Sequence, residues 1–203
     1  FKTEEAGKVT FTGIRSNKDP QVQAQMTYEA FVDYEGVRFP FPVEMIPTDG
    51  MELSPFTVYA VSKNLKDIAL IVSVDVIPSE QSIHVTETYQ FVNRSRKAVD
   101  LSVLPEGGLV LSCPQGAKQP ELHEKNKTDA EVRGLDIVYK GTILPQTQKP
   151  AVLRVSFSMP YRSKTFIWRQ QFPVETLGFT VGTPLSKGRR HVRPIRMTLR
   201  PLF

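Results

Sequence analysis

The sequence is poor in the residues that most often carry chemistry: among 203 residues it has one cysteine and three histidines. A single thiol excludes an intramolecular disulfide framework. His84, His123 and His191 are scattered, with no ligand partner at metal-binding spacing, so no metal site and no cofactor is expected. No stretch approaches the roughly 18 consecutive apolar residues of a membrane-spanning helix. The most apolar window, Ile68–Ile77, is the length of a strand and carries Asp75. The start lacks a charged n-region followed by an apolar h-region. Because it opens on Phe1 and not Met, the chain reads as a trimmed fragment of a longer protein. A Gly-x-Ser-x-Gly elbow is missing, and Gly107-Gly108 lacks the Lys-Ser/Thr of a phosphate loop. No segment of ten or more residues keeps a helical period, in keeping with 16 prolines and 12 glycines.

What is present begins with charge. The net charge of +5 is confined to one place: residues 187–203 hold six basic residues and no acid. The preceding 186 residues carry 20 basic against 21 acidic groups, a net of −1. Within the tail, Ile195, Met197 and Leu199 alternate with Arg196, Thr198 and Arg200, the pattern of a strand with a basic outer face. Arg189, Arg190, Arg193, Arg196 and Arg200 read first as the solvated face of a terminal strand and are the candidate partner-binding cations, suited to an anionic membrane surface, a partner or an anionic glycan. Nucleic acid is disfavoured, because no aromatic base readers interleave with them.

The dominant period is two. Along Val22–Tyr34 the even positions Val22, Ala24, Met26, Tyr28, Ala30, Val32 and Tyr34 predict a buried face, with Phe31 the exception. Val37–Ile46 carries Pro40 and Pro42, and so reads as an edge or bulged strand. Ile68–Ile77 suits a central strand; Ile83–Val92 places Ile83, Val85, Tyr89 and Phe91 on one face. Gln115–Thr128 reads as a long loop with at most one helical turn around Glu121–Lys125. Ala151–Pro160 alternates cleanly, Lys164–Phe172 aligns Phe166, Trp168 and Phe172, and Leu177, Phe179 and Val181 follow. About a dozen short strands with Pro/Gly/Asn turns predict an all-β protein of two tandem β-sandwich domains, residues 1–66 and 67–203, divided at the charged segment Lys63–Asp67.

At Tyr34-Glu-Gly-Val37, Val85-Thr-Glu-Thr-Tyr-Gln-Phe-Val-Asn93, Leu104-Pro-Glu-Gly-Gly108 and Met159-Pro-Tyr161 the chain resembles a group of exported bacterial proteins. In that group a transthyretin-like or carboxypeptidase-regulatory-like β domain precedes an Ig-like β domain, often with a membrane anchor near the C-terminus. The resemblance implies a periplasmic or other extracytoplasmic, membrane-associated location, and implies no activity.

Few residues invite a chemical role. Glu87 falls on the apolar phase with Val85, Tyr89 and Phe91, and a buried carboxylate must be paired or hydrogen-bonded. It is expected to be a structural acid, held by an Arg ion pair or turned outward by a bulge. Cys113, at the end of an apolar strand, reads as a buried thiol. Asn93-Arg-Ser95 and Asn126-Lys-Thr128 match the glycosylation pattern by chance. Trp168 is the candidate ligand contact: solvent-facing it would serve a glycan groove, and in phase with Phe166 and Phe172 it would be core. Together these features predict a non-catalytic envelope protein that binds or assembles a protein or polymer partner near a membrane. The alternative is a carbohydrate-binding module accessory to an enzyme.

Overall fold

The computed structural model describes residues 28–43, 57–79, 81–145, 150–160, 165–166, 172–182 and 196–197. The chain divides into two compact units, Phe1–Val58 and Tyr59–Phe203. Among the described residues the regular elements are strands, apart from two 3₁₀ turns at Leu65–Asp67 and Glu124–Asn126. The protein is all-β.

In the first unit an antiparallel hairpin joins β1 (Tyr28–Tyr34) to β2 (Val37–Val43). Its two-residue turn places Glu35 and Gly36 at φ 50° and 80°, the left-handed pair whose twist matches that of the flanking strands. The period-two reading put Val32 and Tyr34 in a core, yet both are exposed, while Val37 and Phe39 opposite them are buried. Alternation sorts side chains between two faces; it does not say which strand of a pair lies deeper. Phe31, the residue out of phase, is also exposed, and the Arg38 guanidinium lies 3.8 Å from its ring centre while bonding Asp33.

The second unit is built on a five-stranded sheet, ordered β14 (Val174–Val181), β4 (Ile68–Pro78), β5 (Ser82–Asn93), β12 (Ala151–Pro160) and β8 (Lys118–Leu122). Only β14 and β4 run parallel. A three-stranded sheet follows the order β7 (Leu109–Ser112), β10 (Asp136–Tyr139), β9 (Ala130–Arg133). Another joins β11 (Thr142–Ile143), β6 (Ala98–Asp100) and β3 (Val61–Ser62). A short parallel pair joins β13 (Thr165–Phe166) to β15 (Arg196–Met197). Because β3 pairs with β6, the chain is already part of the second unit before the charged segment Lys63–Asp67, whose last three residues form the 3₁₀ turn into β4.

The apolar run at Ile68–Ile77 is the central strand its composition predicts, and its faces are nonetheless distinct. Leu70, Val72, Val74 and Val76 are fully buried, while Ala69, Ile71, Ser73, Asp75 and Ile77 take the other face. Val85, Tyr89 and Phe91 of β5 and Leu153, Val155 and Phe157 of β12 share the buried side. Leu109 and Leu111 of β7 and Ile137 and Tyr139 of β10 meet them in one core, and the Phe91 and Tyr139 rings stack at 4.9 Å. Each large side chain buried in this way contributes about 1.5–3 kcal/mol.

The polar stretch Gln115–Thr128 departs from its reading as a loop. Lys118–Leu122 adds β8 to the sheet edge, pairing Glu121 and Leu122 with Ser156 and Val155, and Lys118 with Ser158. The register shifts between these pairs, where Gln119 has φ 52° and Pro120 lacks an amide, so the strand is interrupted in pattern but not in pairing. A strand with no apolar alternation is invisible to periodicity.

Candidate functional site

Register orders the outward face of the five-stranded sheet into rungs, of which three in succession are largely polar, while beyond them the face carries Ala69, Ile71, Val92 and Val152. One rung crosses all five strands: Thr180 opposes Asp75, Asp75 opposes Thr86, Thr86 opposes Ser156, and Ser156 opposes Glu121. On one side of it run Gly178, Ser73, Thr88 and Arg154. On the other run Ile77, His84, Ser158 and Lys118. Neighbouring strands lie about 4.8 Å apart, so the central rung spans roughly 19 Å.

The rung is tied together locally. The Thr86 and Ser156 hydroxyls lie 3.1 Å apart, and the Arg154 Nε reaches the Thr88 hydroxyl at 3.4 Å. Over this surface opens a shallow, solvent-open groove of about 480 Å³. Asp75, Thr86, Ser156 and Thr180 form its floor, with Ile77, Arg154 and Gly182 beside them. His123, which precedes the 3₁₀ turn Glu124–Asn126, also lines it. That turn is anchored to β12: the His123 amide donates to the Arg154 carbonyl, and Asn126 bonds the Val152 carbonyl and the Arg154 amide. A smaller groove of about 350 Å³ lies on the three-stranded sheet between Glu106, Ser112, Arg133 and Asp136. There the Ser112 hydroxyl donates to Asp136 at 2.6 Å.

Of the residues singled out in the sequence, Glu87 and Cys113 line neither groove. Trp168, Arg189, Arg190, Arg193 and Arg200 fall outside the described residues. Arg196 lies in β15, its backbone opposite Thr165. Glu87 points into the core at 1 % exposure and accepts a hydrogen bond from the Tyr89 hydroxyl two residues along the same face. It keeps regular register with Val74 and Val155, so no bulge turns it outward. Cys113 is buried, and burial, then the charges of Glu87 and Asp136, push its thiol up to about 12, far from a nucleophile's range. Burial, then the Asp129 charge, push the Tyr139 phenol up to about 12 as well.

Both asparagines of the glycosylation-like triplets are structural. Asn93 is 1 % exposed; its amide donates to the Lys97 and Ile143 carbonyls and accepts from the Ser95 amide and hydroxyl. Asn126 is buried as well, its carboxamide nitrogen and oxygen each bonded to the β12 backbone. Among the described residues no group of three or more His, Cys, Asp or Glu is arranged to hold a metal ion. No helix among them is long and apolar enough to cross a membrane.

The polar face was not singled out from sequence, although its signal was there: His84, Thr86, Thr88 and Arg154, Ser156, Ser158 are the off-phase positions of two alternating strands. Their convergence on Asp75 and Thr180 depends on register. Neither a protein-family model nor a curated protein matches the chain.

Proposed function

We propose that this chain is a non-catalytic binding protein of the bacterial cell envelope, built of two tandem β-sandwich domains, that holds an extended protein or polymer partner on the polar sheet face of its second unit. The observation that carries this reading is the rung Thr180–Asp75–Thr86–Ser156–Glu121, five in-register polar residues of which the first four line the groove. A rigid sheet presents such groups at fixed spacing without an entropic cost of ordering a loop. The Ig-like assignment draws support from the shared core between the five-stranded and three-stranded sheets. The envelope location rests on the family resemblance, and the six cations of residues 187–203 suit an anionic membrane surface nearby.

The non-catalytic part of the reading draws on the groove itself. Asp75, His123 and Ser156 line it together, but the Ser156 hydroxyl pairs with Thr86, which is no base, so a serine nucleophile is not activated there. The reading is tested by co-sedimentation with a washed bacterial envelope fraction, comparing the wild-type chain with a Thr86→Val/Ser156→Ala variant. The wild type is expected in the pellet and the variant mostly in the supernatant. A wild-type chain that stays in the supernatant, or a variant that pellets equally well, overturns it.

A further inference from the structure

The charges on this face identify the chemistry of its occupant. Across the three rungs Asp75 and Glu121 are balanced by Arg154 and Lys118, so the surface has no net field to select an anion or a cation. A phosphate-bearing chain would meet Asp75 at the centre of the groove. An apolar peptide or acyl chain would find Ile77 as the one exposed large hydrophobic side chain among the groove-lining residues. An extended peptide adds to a sheet through its edge, with backbone bonds, and gains little from a flat array of short hydroxyls.

Six hydroxyls remain: Ser73, Thr86, Thr88, Ser156, Ser158 and Thr180. A hydroxyl both donates and accepts, so an array of them matches a ligand that itself presents hydroxyls. Asp75 adds a carboxylate able to accept from two adjacent hydroxyls, and Arg154 adds a planar donor on the neighbouring rung. Ile77 offers a small apolar step at the groove wall, fitting a ring with one C–H face and a polar edge.

We infer that the groove over β4, β5, β12 and β14 is a subsite for a neutral saccharide chain lying across the strands along the rung Thr180–Asp75–Thr86–Ser156. Asp75 and Arg154 fix the hydroxyl pattern, and the Ser and Thr side chains supply sequential contacts. The inference rests on the binding reading above and names the class of partner. No Phe, Tyr or Trp is among the described residues that line the groove, so affinity depends on several consecutive sugar units, and a hexasaccharide binds where a monosaccharide does not.

The test is amide chemical-shift mapping of the whole chain with cellohexaose, chitohexaose and maltohexaose, and with a sulfated hexasaccharide as anionic control. At least one neutral hexasaccharide is expected to shift the amides of Asp75, Thr86, Ser156 and Thr180. Asp75→Asn is expected to weaken that binding by about tenfold or more, because a charge-assisted acceptor is lost. Ser156→Ala, a milder change at a partly exposed site, is expected to weaken it less while leaving the spectrum of the free protein intact. The inference is overturned if no neutral sugar moves the rung, if the sulfated sugar binds more tightly, or if Asp75→Asn binds as the wild type does. Should the sugars fail while the envelope fraction still captures the chain through Thr86 and Ser156, the saccharide inference falls and the binding reading stands. Should both fail, both fall.

Discussion

Thr86 and Ser156 face each other across β5 and β12 with their hydroxyl oxygens 3.1 Å apart, although 70 positions separate them. Their bond lies on the solvent side of the sheet, so it closes the rung rather than holding up the core. The Thr86→Val/Ser156→Ala variant is therefore expected to lose less than about 1 kcal/mol, with a pairwise coupling of about 0.5 kcal/mol. Urea unfolding of the four members of the cycle measures it. A loss of several kcal/mol would make this pair a structural element and not a free surface.

The core carboxylate behaves differently. Glu87 sits among Val74, Val85 and Val155 and receives the Tyr89 hydroxyl. Tyr89→Phe keeps the ring and removes that donor, leaving a buried carboxyl acceptor less well satisfied, and is expected to cost about 2 kcal/mol. The midpoint of denaturant unfolding reads the loss, and an unchanged midpoint would show that other groups alone satisfy Glu87.

Gly108 is required for close approach. A Cβ there would lie 2.6 Å from the Tyr139 carbonyl oxygen, a backbone atom of β10 that has no freedom to retreat. Gly108→Ala is expected to cost about 1–3 kcal/mol through forced displacement. Gly116, with open space around it, is a useful contrast: Gly116→Ala meets no neighbour and pays only for its φ of 93°. Thermal unfolding of the two variants separates steric from conformational cost.

Alkaline pH should weaken the fold. Cys113 and Tyr139 both hold their protons up to about pH 12 in the native state, whereas an unfolded thiol and phenol release theirs near about 8.5 and 10. The native state then binds more protons, so their contribution is complete below about pH 8.5 and is lost as pH rises towards about 12. Cys113→Ala is expected to flatten the stability curve between about pH 8.5 and 10, where the thiol alone contributes. An equally steep curve in that variant would assign the slope to other groups.

The two buried asparagines rank by the bonds they make. Asn93 makes four hydrogen bonds and Asn126 two. Asn93→Ala is expected to cost about 2–3 kcal/mol and Asn126→Ala about 1–2 kcal/mol, from the stranded backbone groups. The reverse order in chemical denaturation would contradict the geometry.

Much of the fold was legible because β-strand alternation is a local property. Val85, Tyr89 and Phe91 against Thr86, Thr88 and Gln90 follow from backbone geometry alone, and Glu87 stood out by sharing the apolar phase. The central place of Ile68–Ile77 followed from its composition. The reading of Val32 and Tyr34 as core went astray because depth depends on what covers a strand, which alternation does not encode. Strand β8 was missed because Lys118–Leu122 has neither alternation nor β-formers, and it joins the sheet only because β12 offers an open edge there.

The sequence by itself determined an all-β chain, which faces of its long strands are apolar, and a basic segment confined to residues 187–203. Only the tertiary structure decided that Thr180, Asp75, Thr86, Ser156 and Glu121 form one line. The reason is physical: side-chain direction is set within each strand, but register between distant strands is set by packing their buried faces together, and a shift of two residues would preserve every alternation while dispersing the rung.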